Sequence, residues 1–256
     1  MRKIIRYIYK NLLPNRISQS IDIFKHLRMA KVDGLKEGKI FVLSPHPDDD
    51  IIGCGGTLHI YHQKGAEITS IYMTDGRKGN PECDEDDLVS TRKEEANKAA
   101  TIIGIDRLIF LDNRDAELSP SPKTISELSA ILKDQRPEAV FLPFMLDNHH
   151  DHIATNDIFV RATKDYNDAM MCYGYEIWTP LAAPNCIVDI TNQIEVKIEA
   201  LQQHRSQLEV FDFTEAVYGL SRYRCALHML SDKFKYAEAF SACSIAEYRR
   251  LWQVIQ

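Results

Sequence analysis

Short apolar runs alternate with segments of helical periodicity between residues 39 and 143, and this alternation constrains the fold more than any other feature. We interpret four of the runs as strands, at residues 40–43, 67–73, 108–111 and 139–143. We predict helices in the segments between them, at residues 55–64, 88–103 and 124–133. Strands that alternate with helices build a mostly parallel sheet through right-handed crossovers. The prediction is therefore an α/β fold with a Rossmann-like sheet and helices on both faces.

Imidazole and carboxylate side chains directly follow two of these runs. His46, Asp48, Asp49 and Asp50 follow the first run, and residues 147–152 follow the fourth. In an open parallel sheet, ligands bind beyond the carboxyl ends of the strands, where the strand order reverses. A strand order of 3-2-1-4-5 would place the first and fourth strands side by side at that point. We therefore predict that the two polar stretches form one site.

The residue types of these stretches favour a metal site. Pro47 biases His46 toward an extended conformation, so that its imidazole lies at the end of the strand. Adjacent Asp48 and Asp49 point in different directions, which lets one bind a metal while the other faces a water molecule. An Asp run before a helix also serves as an N-cap, but capping explains only one Asp. His46, Asp49 and His152 would supply the two imidazoles and one carboxylate that a catalytic zinc ion accepts.

Residues 45–58 and the sequence His149-His150-Asp151-His152 resemble the two motifs of the zinc-dependent LmbE-like (PIG-L) de-N-acetylases. The first motif of that family is Pro-His-Pro-Asp-Asp-Glu, followed by an aliphatic pair and a glycine-rich turn. In this chain Asp50 stands where the family usually has Glu. The two motifs occur in the family's order, about a hundred residues apart, and weaker similarity extends over residues 39–240.

The resemblance implies hydrolysis of the acetamide of an N-acetylglucosamine-type sugar. It implies Zn²⁺ as the cofactor. Fe²⁺ is the alternative, because the same ligand set accepts either metal. The implied metal ligands are His46, Asp49 and His152. Asp48 would then be the general base, and His149, in its protonated form, would face the reacting carbonyl and stabilise the oxyanion.

Further roles are expected for residues around the two motifs. Asp151 is expected to orient an imidazole, and Asp147 is a candidate for the same task. Arg92 and Asp115 resemble family positions that hold sugar hydroxyls, although Arg92-x-x-Glu95 also suits an ion pair on a helix surface. The sequence His-Arg-Ser-Gln, which begins at residue 204, resembles a family pattern near the site, and a helix cap explains it nearly as well.

Two other functions fit parts of the same pattern. Clusters of His and Asp also build two-metal phosphoesterase sites, which require a second full ligand set within about 4 Å. The remaining candidates for the second ligand set are Asp50, Asp75 and His150, which are few for a full set. A non-catalytic sugar-binding protein is the other alternative, and it leaves the general base and His149 without a role. The sequence does not indicate what the sugar is attached to.

Charge is distributed unevenly along the chain. The net charge of −6 combines +7 in residues 1–39 with −13 in the remainder. An acidic body repels phosphates, so we predict no nucleic-acid partner. The six cysteines form no C-x-x-C pair, and Arg6 and Lys10 interrupt the apolar N-terminal run. Both features favour a cytoplasmic protein with reduced thiols.

We predict an N-terminal helical arm at residues 1–37 and a single deacetylase domain at residues 38–256. The arm has apolar residues at helical spacing, and we expect it to dock on the body or at a contact within an oligomer. The alternative is that the same arm makes peripheral contact with the inner face of an anionic membrane. In the second half we predict strands at residues 173–178 and 187–190, and helices at residues 153–163, 192–204 and 215–230.

Overall fold

The computed structural model describes residues 30–31, 38–166, 169–228 and 233–255, and it contains a mixed sheet with helices on both faces. The strands of this part are β1 (Ala30–Lys31), β2 (Lys39–Ser44), β3 (Glu67–Thr74), β4 (Arg107–Asn113), β5 (Ala139–Pro143), β6 (Met171–Tyr175), β7 (Cys186–Asp189) and β8 (Ala237–Ser244). The helices are α1 (Asp49–Gln63), α2 (Glu85–Ile103), α3 (Pro122–Gln135), α4 (His150–Ala162), α5 (Ile194–Leu201), α6 (Arg205–Leu208), α7 (Phe213–His228) and α8 (Ile245–Ile255). The predicted α/β fold is confirmed.

Strands β2 to β6 form the parallel part of the sheet. The full order is β1-β7-β8-β6-β5-β2-β3-β4. Strands β2 to β6, counted in chain order, therefore lie in the predicted 3-2-1-4-5 arrangement. Strand β8 lies between β6 and β7 and runs antiparallel to both. The order reverses between β2 and β5, which are hydrogen-bonded neighbours whose carboxyl ends lie at the same edge.

Two hydrophobic cores, one on each face of the sheet, hold β2 in register. Ile40 and Val42 pack into the core that includes α1, α2 and α5, whereas Phe41 and Leu43 pack into the core of α3, α4 and α8. All four side chains are at most 2% exposed. A shift of one residue would exchange the two faces, so this double burial determines where the strand ends and the polar turn begins.

Helix α1 begins at Asp49, six residues before its predicted start, because the glycines of the motif lie inside the helix. A Cβ atom on Gly53 would lie 2.4 Å from Cδ2 of Tyr175, a distance that real Cβ atoms essentially never show. This glycine therefore allows close packing of the helix against the ring. As a consequence, Asp48 and Asp49 lie at the amino end of a helix.

Other boundaries also differ from the predictions. Helix α4 begins at His150, three residues before its predicted start. Ser121 caps α3 by accepting a hydrogen bond from the Thr124 backbone N–H, so α3 begins at Pro122, two residues before its predicted start. Strand β8 and helix α8 were not predicted, because their sequences carry no turn signal or motif that separates them from the preceding helix.

The predicted N-terminal arm lies almost entirely outside the described residues. Of residues 1–37, only residues 30–31 are described, and they pair with β7 in parallel. The division into an arm and a domain, and the docking or membrane role of the arm, stay predictions. Among the described helices, none has the length and apolar composition needed to cross a membrane.

Candidate active site

The polar stretches that follow β2 and β5 meet where the strand order reverses. His46 lies in the turn after β2, and Asp48 and Asp49 lie at the start of α1. His149 is the N-cap residue of α4, and His152 lies in its first turn. Because β2 and β5 are adjacent, the amino ends of α1 and α4 lie at the same edge of the sheet.

The three predicted metal ligands converge on one carboxylate oxygen. Oδ2 of Asp49 lies 3.2 Å from Nδ1 of His46 and 3.3 Å from Nε2 of His152. The same oxygen accepts a hydrogen bond from the His46 backbone N–H at 2.8 Å. Nitrogens of His46, His149 and His152 also lie within 4.8 Å of one another. The structure thus brings together two imidazoles and a carboxylate, with a third imidazole beside them.

His152 provides the observation that tests whether a metal fits here. Its side chain is fully buried, and neither ring nitrogen makes a well-aligned hydrogen bond to a described residue. A buried polar group without a partner costs free energy, about 1–3 kcal/mol. Burial alone would raise the pKa of Asp49, but His152 and His46 outweigh burial and hold it well below its ordinary value. A charged carboxylate with two imidazole nitrogens fits Zn²⁺ or Fe²⁺.

Carboxylates also lie beside the opposite nitrogens of the two imidazoles. Nε2 of His46 lies 3.1 Å from Oδ1 of Asp115 and 3.2 Å from Oδ2 of Asp151. Nδ1 of His152 lies 3.4 Å from Oδ1 of Asp147. Burial disfavours the charged imidazole, but Asp115, Asp151 and Asp49 raise the pKa of His46 well above its ordinary value. This arrangement of imidazole between metal and carboxylate is common in zinc proteins.

Asp151 also holds the loop that carries Asp115. Its Oδ2 accepts a hydrogen bond from the Ala116 backbone N–H at 2.8 Å, and its Oδ1 accepts one from Leu118 at 3.2 Å. Ala116 has a φ of 65°, a left-handed conformation that is costly for a residue with a Cβ atom. The two hydrogen bonds compensate for this strain. Asp151 therefore contacts His46 directly and also positions the loop beside it.

Arg92 lies next to the predicted general base. Its Nη2 lies 3.0 Å from Oδ1 of Asp48, and its side chain is 2% exposed. Glu95 instead accepts hydrogen bonds from Ser206, so a surface pair between Arg92 and Glu95 does not form. Burial raises the pKa of Asp48, and Arg92 opposes that rise. The Asp48 side chain makes no capping hydrogen bond, which removes capping as its explanation.

His149 lies at the wall of the same site with a defined orientation. Its ring contacts that of His46 edge-on at 4.9 Å and stacks on Trp178 at 6.2 Å. Nδ1 accepts a hydrogen bond from the Asp151 backbone N–H at 3.2 Å. The neutral ring therefore carries its proton on Nε2. Burial, together with His46 and His152, lowers the pKa of His149.

These residues line a cavity of about 250 Å³, which we name the main cavity. One side is polar and the other is apolar. The polar side includes His46, Asp48, Asp115, His149, Arg92, Lys78 and Gln207. The apolar side includes Ile52, Ile177, Trp178, Val210, Phe211 and Phe213. The volume is slightly below the range of about 300–1,000 Å³ that is typical of small-molecule sites.

Gln207 and the aromatic side chains beyond it were not among the predicted site residues. The His-Arg-Ser-Gln sequence was the only signal for Gln207, and it lies more than 50 residues after His152. His204 makes no capping hydrogen bond, so the cap alternative is not supported. Phe211 and Phe213 belong to no motif, and only the packing of α7 and of the segment before it brings them to the cavity.

A second, independent set of metal ligands is not found among the described residues. Asp50 accepts hydrogen bonds from Ser70 and Tyr72, and Asp75 pairs with Arg77. The other cluster with metal-binding residue types consists of His46, Asp115 and Asp151, and it shares His46 with the first. A two-metal phosphoesterase site is therefore not supported in this part of the chain.

Comparison with known proteins agrees with these motifs. The family model described as PIG-L, GlcNAc-PI de-N-acetylase, matches residues 41–163. The chain is 29% identical over 199 residues to the diacetylchitobiose deacetylase of Thermococcus kodakarensis, across 71% of this chain and 73% of that protein. It is 30% identical over 183 residues to YaiS, an uncharacterized deacetylase of Escherichia coli, across 67% of this chain and 92% of that protein.

The fold agrees as well. The crystal structure of N,N′-diacetylchitobiose deacetylase from Pyrococcus horikoshii superposes with a TM-score of 0.76 at 24% identity. The superposition covers 92% of this chain and 96% of that one. The two motifs, the family match, the deacetylase relatives and the shared fold lead to one conclusion: this chain belongs to the PIG-L (LmbE-like) family of deacetylases.

Proposed function

We propose that this protein hydrolyses the acetamide of an N-acetylglucosamine-type sugar, with a divalent metal ion held by His46, Asp49 and His152. The observation that carries the proposal is the position of Asp49 Oδ2, which lies between His46 Nδ1 and His152 Nε2. Asp48 and His149 lie on the same cavity. The similarity to a diacetylchitobiose deacetylase supports an N-acetylated sugar as the substrate.

The metal would polarise the carbonyl and lower the pKa of water from about 16 to near 7. Side chains of this protein carry out the proton transfers. Asp48 accepts the proton of the water that attacks the carbonyl carbon. Arg92, at 3.0 Å, keeps Asp48 in place and favours its charged form. When the C–N bond breaks, the protonated Asp48 returns the proton to the leaving amine, so that a free amine and acetate are formed.

His149 stabilises the negative charge that develops on the carbonyl oxygen. Its Nδ1 is occupied by the Asp151 N–H, so Nε2–H is the donor available to that oxygen. The lowered pKa of His149 favours the neutral ring at pH 7. We therefore replace the protonated His149 of the sequence prediction with a neutral donor. The neutral ring already carries the Nε2–H donor, so His149 does not have to gain a proton before the reaction.

In this proposal Arg92 and Asp115 do not bind the sugar directly, because each already contacts another residue of the site. The Asp115 carboxylate already contacts His46 and the Lys78 backbone N–H, and Arg92 already contacts Asp48. Gln207 is different, because Nε2 donates to Ser206 whereas Oε1 has no hydrogen bond to a described residue. Gln207 is therefore the side chain that we assign to a sugar hydroxyl.

The test is a substrate screen with the zinc-reconstituted protein. N-acetylglucosamine, N,N′-diacetylchitobiose and N-acetylglucosamine phosphates are supplied, and free amine, acetate and phosphate are measured. We expect amine and acetate in equal amounts, no phosphate release and one metal ion per chain. Phosphate release with two metals per chain would favour a phosphoesterase. A metal-loaded protein that releases no amine from any of these sugars would refute the proposal.

A further inference from the structure

A second cavity adjoins the main cavity on its apolar side, and we name it the side cavity. It has a volume of about 210 Å³ and lies between α1, α7 and β8. Helix α7 contributes Phe213, Ala216, Val217, Leu220 and Ser221 to its wall. Four of these five side chains offer no hydrogen bond, so this wall favours a hydrocarbon ligand.

The two cavities are neighbours that share a wall. The residues that line both are Ile52, Ile177, Trp178, Phe211 and Phe213. All five are apolar, and three are aromatic. A ligand whose polar end lies beside His46 and Asp48 would therefore meet only apolar side chains where it passes from the main cavity to the side cavity.

The charged groups of the side cavity already have partners. Lys197 pairs with Glu238 at 2.6 Å, and both side chains are nearly fully buried. Glu238 also accepts hydrogen bonds from two backbone N–H groups of α1. Glu176 pairs with Arg224. Because these charges neutralise one another, they do not select an ion or a polar ligand.

Large apolar side chains are exposed beside the two cavities. Trp178, Val210 and Phe211 are 53%, 52% and 54% exposed. Phe213 packs against both Trp178 and Phe211, so that the aromatic rings form one patch. Contiguous exposed apolar groups of this kind mark a binding surface, because their hydration is unfavourable.

We propose that the side cavity binds an apolar group attached to the sugar, either a short alkyl chain or one aromatic ring. The inference deepens the proposed function, on which it rests, because it makes the substrate an amphiphilic N-acetylglucosaminide. The five side chains that line both cavities support this occupant over a separate ligand. Apolar cavities of about 150 Å³ bind benzene, so 210 Å³ leaves room for an occupant of this size.

The first experiment compares methyl, butyl and hexyl N-acetylglucosaminides below their critical micelle concentrations. Each methylene group that becomes buried should raise kcat/KM roughly fourfold. We expect a gain of at least tenfold from methyl to butyl and a smaller gain per carbon afterwards, as the cavity fills. Equal kcat/KM values for the three glycosides would overturn the proposal.

A pair of matched variants tests whether the gain in kcat/KM arises from binding in the side cavity. Ala216 lines the side cavity and is exposed, so Ala216→Leu fills the cavity without disturbing the core. Ala226 is an exposed alanine of the same helix that lies outside the cavity lining, which makes Ala226→Leu the control. The butyl-to-methyl ratio of kcat/KM should fall toward one in Ala216→Leu and stay high in Ala226→Leu. Thermal melts and metal content verify that both variants are folded and loaded. Equal ratios in the two variants would place the alkyl chain elsewhere and refute the side cavity.

A binding measurement separates this inference from the proposed function. Hexyl glucoside has no acetamide, and Trp178 lines both cavities, so binding is followed through tryptophan fluorescence. We expect hexyl glucoside to bind at least tenfold more tightly than methyl glucoside, and Ala216→Leu to abolish the difference. If no sugar is deacetylated but this difference holds, the proposed function fails and the side cavity stands. No preference for hexyl glucoside, or a dimer that covers the Trp178 patch in light scattering, would overturn the inference.

Discussion

At the scale of residues, the candidate site is a group of buried ionisable side chains that position one another. Asp49 lies between two imidazoles, and Arg92 lies against Asp48. Adjacent Asp48 and Asp49 thus have different partners although they follow one another in the chain. We therefore expect substitutions of the two residues to have different effects, one on catalysis and the other on metal binding.

The first prediction concerns Asp48 and Asp49. Asp48→Asn should retain metal, because the amide oxygen still accepts from Arg92, but it should lose activity by about 10²–10⁴, the contribution of a general base. Asp49→Ala, like His46→Ala and His152→Ala, should lose the metal itself. Metal analysis and amine release are measured on the same samples. If Asp48→Asn lost the metal while Asp49→Asn kept it, the two assignments would be reversed.

The second prediction concerns His149. His149→Ala should keep the metal and lower kcat by about 10²–10³, the effect of removing one oxyanion donor. His149→Gln should recover part of this loss, because its Nε2 offers a donor at a similar distance from the backbone. The rates are compared at saturating substrate. A kcat near that of the unchanged protein in His149→Ala would exclude this role.

At the scale of elements, the short helix α6 brings distant residues to the cavity. Ser206 donates two hydrogen bonds to Glu95 of α2, at 2.8 Å and 2.7 Å. Asn80 donates to the Ser206 carbonyl at 3.1 Å. These contacts place Gln207 in the cavity wall and bury the imidazole of His204 completely.

The third prediction is a dependence of stability on pH that arises from His204. Burial and then Arg92 lower the pKa of His204 to about 3. The unfolded chain binds a proton at its ordinary pKa of about 6.5, which the folded protein does not. Stability should therefore be unaffected by His204 above pH 6.5 and fall as pH drops from about 6.5 to 3, by about 1.4 kcal/mol per pH unit.

Urea unfolding of the metal-free protein between pH 7.5 and 5 tests this prediction. His204→Leu has no proton to bind, so its stability should fall less steeply over this interval. The comparison uses the slope against pH and not the absolute stability, because removing a buried imidazole also changes packing. Identical slopes for the two proteins would show that His204 does not carry the effect.

At the scale of the whole molecule, the candidate metal site lies between the two halves of the parallel sheet. His46 and Asp49 follow β2, His152 follows β5, and the strand order reverses between these two strands. A bound metal would therefore link segments about a hundred residues apart in the chain. It would also satisfy Nε2 of His152, which makes no well-aligned hydrogen bond to a described residue.

The fourth prediction is that metal removal lowers global stability. A metal present at 100 times its Kd should stabilise the folded state by about 2.7 kcal/mol. For a chain of this size that corresponds to a rise in Tm of roughly 5–10 °C. Melting curves with EDTA and with zinc should differ by this amount, and the difference should persist in Asp48→Asn. In His152→Ala it should vanish. A zinc-dependent shift of equal size in His152→Ala would mean that the metal binds elsewhere.

The sequence by itself determined the alternation of strands and helices in residues 39–143 and the positions of the two motifs after the first and fourth strands. Apolar runs that alternate with helices leave few topologies, and in the 3-2-1-4-5 order the carboxyl ends of the first and fourth strands adjoin. The identities of His46, Asp49 and His152 then predict the metal-binding chemistry. These inferences need only local patterns and one topological rule, and for that reason they were accessible without coordinates.

Only the tertiary structure decided which side chains complete the site. The pairing of Arg92 with Asp48, the loop held by Asp151 and the aromatic wall of Phe211 and Phe213 depend on packing between elements far apart in the chain. The close packing of α1 likewise depends on a ring from β6 that approaches Gly53. Local sequence carries no signal for such contacts, because the partner that stabilises each one is brought near only when the sheet and its helices have assembled.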